Sequence, residues 1–349
     1  MLGSHVRAQK GREALVEAGH FERCPARDLC ICSTRTPHNA SDRLSRLTAM
    51  EAGWRSVARR IVCISLQEKP DRFAAACDEA HRVGLCRILT FYRPTKPTDA
   101  DMARADALAA TQNSTLTTNN SNLTTKLTIQ WRGFMGSWEA HRHVQSSCAV
   151  VGGGGGRLLV LEDDFRVLPF VDAELLHRVG SHVDSLPAGW EVFYLGHQPA
   201  AGYPVRADLS VFRVISCWIH AVVLSDPAQR RIASESYVSH AARLGREETL
   251  DGWIMREFRQ YAAFPMLVVQ SAIGSDNLPS HRRKLFGRNE LIEWWTRFHR
   301  DHSFAIELSI LVILPLVAIL LLLLLLTFLA NKLTRGKKIE GPIRPTGKK

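Results

Sequence analysis

Three consecutive acids, Glu162, Asp163 and Asp164, follow directly on the aliphatic residues 158–161. Carboxylates this close repel one another and call for a cation. A hard divalent ion such as Mn²⁺ or Mg²⁺, shared with a diphosphate, is the one that oxygen ligands of this kind select. An unbroken aliphatic run suits a strand buried on both faces of an α/β sheet. Ligands of open α/β sheets bind beyond the carboxyl ends of such strands, where these acids would emerge. The same residues also suit a solvated acidic turn behind a core strand, and the rest of the chain has to decide between the two.

The chain has 349 residues, 46% of them apolar and 23% charged, which is ordinary for a globular protein with one large domain or two smaller ones. Its formal net charge of +11 is high. The excess is spread over Arg43, Arg46, Arg55, Arg59 and Arg60 and over a Lys-rich C-terminal tail, and no nucleic-acid-binding motif accompanies it. The charge therefore reads as solvation, membrane-surface affinity and attraction for nucleotides, and against nucleic-acid binding. None of the eight cysteines forms C-x-x-C, which excludes zinc-ribbon and thioredoxin-type motifs. Cys63 and Cys217 lie in apolar runs as core thiols. Cys24, Cys30 and Cys32 leave a disulfide, and hence the redox compartment, open.

Residues 1–58 are polar and basic, lack the apolar run of a signal peptide, and read as flexible or partly folded, with an irregular helix over 44–57. Apolar runs at 61–66 and 87–92 enclose a helix-compatible stretch and make a βαβ unit. The Thr/Asn-rich tract 111–128 reads as a surface insertion, with sequons at Asn113, Asn119 and Asn122. Residues 131–144 enter a helix carrying His141 and His143, whose i, i+2 spacing points them to different faces and argues against a joint metal site. Five glycines at 152–156 precede a strand rather than a helix, so they read as a linker and not as a phosphate cradle. A helix over 171–186 and strands at 190–195, 211–216, 217–224 and 266–270 follow. Asp226 and Pro227 suit the N-cap and first position of a helix, and a short helix opens at 249–253.

Residues 308–330 are apolar and uncharged, interrupted by Ser309, Pro315 and Thr327. They read as a single transmembrane helix, so the expected location is a membrane, crossed once near the C-terminus. Residues 291–307, with Trp294, Trp295 and Phe298, form an interfacial approach, and 331–349 a basic tail. The side of the main domain stays open. A C-terminal anchor without a signal peptide leaves it cytoplasmic, whereas Lys332, Arg335, Lys337 and Lys338 favour a cytoplasmic tail and a lumenal domain.

In order, the motifs resemble those of glycosyltransferase family 25, the group of lipopolysaccharide galactosyl- and glucosyltransferases and procollagen galactosyltransferases. The residues that carry the resemblance are ISL at 64–66 with Asp71 and Arg72, GFMG at 133–136 with Ala140 and His141, and LVLEDD at 159–164. WEVFYLG at 190–196, His220-Ala221 with Leu224-Ser225, and Asp251 with Trp253, Pro265, Gln270, Ser275 and Asp276 complete the series. Ala140 stands where the family has Ser, Ser137 where it has Cys, and Val222 where it has Tyr.

The resemblance implies a GT-A-like α/β domain over 59–290 that binds a nucleotide sugar on a mixed, mainly parallel sheet, with the transmembrane helix appended. It implies an enzyme that moves a hexose, galactose or glucose, from a UDP-sugar to a hydroxyl of a glycan or protein acceptor, with inversion. Asp163 and Asp164 would hold Mn²⁺ or Mg²⁺, with Glu162 orienting them. Asp251 would be the base for the acceptor hydroxyl with Glu248 behind it, and Arg72 and His141 would contact the donor. Each has a structural alternative: a helix N-cap for Asp251, a surface salt bridge for Arg72, a hydrogen-bonded core residue for His141. The rival readings of the whole chain are a catalytically inactive transferase-fold membrane interaction module and a basic membrane-associated adaptor.

Overall fold

In the computed structural model, residues 21–23, 38–117, 132–151, 156–270 and 309–336 are described. The first half runs β1 (Phe21–Arg23), α1 (His38–Val57), β2 (Arg60–Ile64), α2 (Pro70–Arg82), β3 (Leu89–Tyr92), α3 (Asp99–Thr117), α4 (Arg132–Val151) and β4 (Leu158–Glu162). Next come β5 (Phe165–Val167), α5 (Ala173–Asp184), β6 (Val192–Pro204), β7 (Val211–Leu224), α6 (Asp226–Ser234), α7 (Tyr237–Leu244) and α8 (Leu250–Glu257). Strands β8 (Gln260–Ala263) and β9 (Val268–Gln270), a π-helical turn (Ser309–Ile313) and α9 (Leu314–Gly336) close the described chain.

Seven strands form one sheet in the order β1-β3-β2-β4-β7-β6-β8, and β5 pairs with β9 in a second, two-stranded one. Helices cover both faces of the large sheet, which is why its central strands are apolar without alternation. Leu158 and Val160 of β4 pack on the side of α4, α6, α7 and α8, and Leu159 and Leu161 on the side of α1, α2 and α5. All four are fully buried. Helix ends follow local rules: Asp172 caps α5 by accepting from Leu175 N, and Ser225 caps α6, one residue earlier than the sequence suggested.

The expected sheet was mainly parallel; the observed one is evenly mixed. β2–β3, β2–β4 and β6–β8 pair parallel, whereas β1–β3, β4–β7, β6–β7 and β7–β8 pair antiparallel. The long β6–β7 hairpin supplies the largest antiparallel pairing of the sheet. Gly196 of β6 is required where that hairpin passes β9, because a Cβ there would lie 2.1 Å from the Val268 carbonyl oxygen.

The C-terminal expectation is overturned as well: among the described residues no helix is long and apolar enough to cross a membrane. The apolar run does not form one continuous α-helix. Its first residues adopt the π-helical turn, Pro315 follows at the start of α9, and the end of α9 is built from residues that include Lys332 and Arg335. Residues 314–330 rise only roughly 26 Å as α-helix, against about 30 Å of bilayer hydrocarbon. The single-pass anchor, and the membrane location inferred from it, are withdrawn. The leucines at 320–326 are each 52–61% exposed, so α9 adds nothing to the core of the domain.

The expected flexible N-terminal segment also contains more structure than its composition suggested. β1 pairs antiparallel with β3, and α1 docks on α5 through a close crossing. A Cβ on Gly180 would lie 2.7 Å from the Ser56 carbonyl oxygen, and one on Gly53 2.9 Å from Leu176 Cβ. Residues 111–117 of the expected insertion continue α3. Cys24, Cys30 and Cys32, Asn119 and Asn122, the glycines at 152–155, Ser275 and Asp276, the approach segment 291–307 and the tail beyond 336 lie outside the described residues.

Trp54 of α1 is fully buried, and its indole N–H donates to the Val83 carbonyl oxygen at 3.0 Å. Trp54→Ala is expected to lower the stability of the full chain by about 3–5 kcal/mol in denaturant unfolding. A loss below about 1 kcal/mol would place α1 outside the cooperative core.

Candidate functional site

The chain goes from β2 through α2 to β3 on one side of β2, then returns to β4 on the other side. That reversal opens a crevice beyond the carboxyl ends of the parallel strands, where doubly wound sheets bind ligands. Glu162 ends β4, and Asp163 and Asp164 make the turn into β5, so all three acids arrive there. They border a cavity of about 270 Å³. Ile64 and Leu66 from the end of β2, Pro94, Lys96 and Pro97 after β3, and Gly133, Gly136, Ser137 and Ala140 of α4 form its walls. The small residues of α4 make the room. A Cβ on Gly136 would come 2.9 Å from Pro97 Cδ and push the β3 loop off the helix.

Arg72 is the cation in contact with the acids. Its Nη2 lies 2.5 Å from Asp163 Oδ1 and 3.0 Å from Asp164 Oδ2, with only 13% of its side chain exposed, so it is no surface salt bridge. Gln270 Nε2 donates to the same Asp164 oxygen at 2.8 Å. β9 positions this glutamine by pairing Gln270 with Phe165, the residue after Asp164. Asp164 Oδ1, Arg72 Nε and His141 Nε2 are all buried with no hydrogen-bond partner among the described residues. Buried polar atoms are nearly always paired, so three around one cavity mark a place built for a further ligand.

The electrostatics agree. Burial pushes the Asp164 carboxyl up to about 7, with repulsion from Glu162 adding to it and Arg72 opposing. Glu162 keeps 26% of its side chain exposed to the cavity yet sits deep in the protein, and burial followed by repulsion from Asp163 lifts it to about 7 as well. His141 goes the other way: burial lowers it to about 4 although the Asp251 charge opposes that. The imidazole is neutral, and its Nε2 lies 4.0 Å from Glu162 Oε1. Cys63, on β2, is raised well above the thiol range, by burial first and by Asp163 next, which keeps it a thiol.

The scaffold under the acids is braced from both ends. Glu79 of α2, 4% exposed, accepts from Val167 N at 2.7 Å and from Arg82, and so ties β5 to α2. At the start of β4, Gly156 N donates to Asp226 Oδ1, while Gln229 Nε2 donates to Gly156 O and Arg60 Nη2 to Gln229 Oε1.

No family model matches this chain, and no curated protein matches it.

Arg72, His141, Glu162, Asp163 and Asp164, singled out in the sequence, converge on the one cavity. Asp251 and Glu248 are not in its lining. Asp251 occupies the first turn of α8, whose N-cap is Thr249, so Asp251 is not the cap, and its charge reaches His141. Glu248 accepts from Arg256 and lies 2.9 Å from His240 Nε2. The structure adds Gln270, Lys96, Arg132 and Ser137. Gln270 stood in the motif series without a role, and only the β5–β9 pairing reveals its partner. His143 stacks on Tyr92 at 5.0 Å, away from His141, as the i, i+2 spacing required.

Among the described residues no group of three or more His, Cys, Asp and Glu is arranged to hold a metal ion. A cation here would have Asp163 and Asp164 as its protein ligands and complete its shell with substrate oxygens and water, as Mg²⁺ commonly does. The unpaired, desolvated Asp164 Oδ1 fits that demand.

Because the two carboxyls have raised values in the fold, their contribution to stability is complete below about pH 4 and is lost as the pH rises through about 7. His141 acts oppositely, its contribution falling away between about pH 6.5 and 4. Thermal melts of the full chain should therefore show a larger stabilisation by 1–5 mM Mn²⁺ (on the order of a few degrees) at pH 8 than at pH 5.5. Asp164→Asn should raise the metal-free melting temperature at pH 8 and abolish the Mn²⁺ shift. An equal Mn²⁺ effect at both pH values would count against cation binding at these carboxyls.

Proposed function

We propose that this chain is a divalent-cation-dependent glycosyltransferase that moves a hexose, galactose or glucose, from a UDP-sugar to a hydroxyl of a glycan or protein acceptor with inversion. The observation that carries the reading is the buried pair Asp163 and Asp164 at the end of β4, facing a cavity at the sheet's reversal point, with Asp164 desolvated and its Oδ1 without a hydrogen-bond partner among the described residues. The resemblance of the motif order to glycosyltransferase family 25 supports it from the sequence side, since LVLEDD at 159–164 ends on those carboxylates.

The chain's own groups divide the work. Arg72 stands in the first turn of α2, whose N-terminus has no side-chain cap. Backbone N–H groups and a guanidinium in that position suit phosphate oxygens. Asp163 and Asp164 would hold Mn²⁺ or Mg²⁺, which when bound supplies charge neutralisation for the diphosphate as it leaves. His141, kept neutral by burial, offers Nε2 to a sugar hydroxyl rather than a positive charge. Asp251, which lies outside the cavity lining but whose charge reaches His141, is the proposed acceptor of the proton from the attacking hydroxyl. Glu248, engaged by Arg256 and His240, holds α8 in place and does not share that task. The small residues Gly133, Gly136 and Ala140 leave open the space proposed for the sugar.

Release of UDP by the full chain, measured over a panel of UDP-sugars, tests the reading. Turnover with one donor should fall by at least about 10²-fold with chelator and in Asp164→Asn, and Asp251→Asn should lower kcat by about 10²–10⁴ with KM little changed. Activity that persists in chelator and in Asp164→Asn would sink the proposal. Mn²⁺-dependent UDP binding without turnover of any donor would instead make the chain a non-catalytic transferase-fold binding module, in line with Ala140, Ser137 and Val222.

A further inference from the structure

Arg72 meets both Asp163 Oδ1 and Asp164 Oδ2 through a single nitrogen, Nη2. Gln270 holds the same Asp164 oxygen, so Oδ1 is the oxygen of that carboxylate left without a hydrogen bond among the described residues. The guanidinium itself is only partly used, since its Nε is buried with no hydrogen-bond partner among the described residues. A fork of five donors with one nitrogen spent on two carboxylates and another idle is matched to a second anion. Arg72 also belongs to the uncapped first turn of α2, where phosphate oxygens bind.

We infer that Arg72 is a counter-ion gate: it neutralises Asp163 and Asp164 while the site is empty, and a diphosphate docking at the start of α2 draws it away. This rests on the reading of the site as a nucleotide-sugar and cation site, and it adds the order in which the ligands enter. A divalent cation arriving alone has to displace a guanidinium that would then be buried without a partner, an unfavourable exchange. With the diphosphate in place, Arg72 trades carboxylate for phosphate oxygens and frees both acids together. Nucleotide and cation therefore bind cooperatively, and the empty site discriminates against free metal.

The test is calorimetric titration of Mn²⁺ into the full chain with and without saturating UDP, corrected for Mn²⁺–UDP complexation. It compares the unmodified protein with Arg72→Gln and Arg72→Lys, each checked for a cooperative melt. Without UDP, Arg72→Gln should bind Mn²⁺ at least about tenfold more tightly than the unmodified chain, and the tightening produced by UDP should shrink by a similar factor. Arg72→Lys, which keeps a charge but cannot bridge as a fork does, should fall between them and carries the comparison if Arg72→Gln fails to fold. Equal or weaker Mn²⁺ binding by the variants in the absence of UDP overturns the gate and leaves the transferase reading standing. No Mn²⁺ binding by any of the three, with or without UDP, overturns both.

Discussion

The desolvation of the carboxylates at the end of β4 sets the terms for the rest of the domain. Leu158, Val160 and Leu159, Leu161 bury both faces of the strand, and this drives the acids that follow into a region where little water can solvate them. A buried carboxylate is costly unless charge and hydrogen bonds compensate it. Here the compensation is partial. Arg72 and Gln270 serve one edge of the cluster, Asp164 Oδ1 has no partner among the described residues, and burial raises the Glu162 and Asp164 carboxyls to about 7.

Such a cluster persists only on a frame that resists relaxation. Strand β4 cannot slide, because Gly156 is gripped by Asp226, Gln229 and Arg60. The Asp163–Asp164 turn cannot swing outward, because β5 is bonded to Glu79 below and to β9 alongside. The close α1–α5 crossing seals the far face. Each brace is satisfied with polar atoms of the chain itself, whereas Asp164 Oδ1, Arg72 Nε and His141 Nε2 at the cavity have no hydrogen-bond partner among the described residues.

How much of this the sequence could show depends on the range of the interaction involved. Residues 158–164 were legible because burial on two faces abolishes alternation and because the acids are consecutive; both are local facts. Strand direction was not legible. Whether β7 runs parallel or antiparallel to β4 depends on the β6–β7 hairpin, and the result was an evenly mixed sheet where a mainly parallel one was expected. Helix α1 was legible only as an irregular helix over 44–57, and its docking was not, since that depends on Gly53 and Gly180, whose contribution is the absence of a side chain. At the C-terminus hydropathy and backbone diverged. The composition of 308–330 reads as one span, but the π-helical turn and Pro315 divide it. Gln270 needed the β5–β9 register, a pairing across more than a hundred residues.

His141 shows how the same cavity settles the sign of the chemistry it can perform. It lies 4.0 Å from Glu162 and within the field of Asp251, two carboxylates that would ordinarily hold an imidazole protonated. Burial outweighs them and leaves it neutral at any pH near 7. The site therefore cannot draw positive charge from histidine. Its resident cations are Arg72 against the acids and Lys96 and Arg132 further along the wall, the last paired with Asp99. Asp163 and Asp164 are bound by a guanidinium that a phosphate can compete for. An anionic ligand that takes Arg72 thus raises the demand of the acids for a cation at the moment it arrives, and that demand is what a diphosphate carrying its own metal ion satisfies.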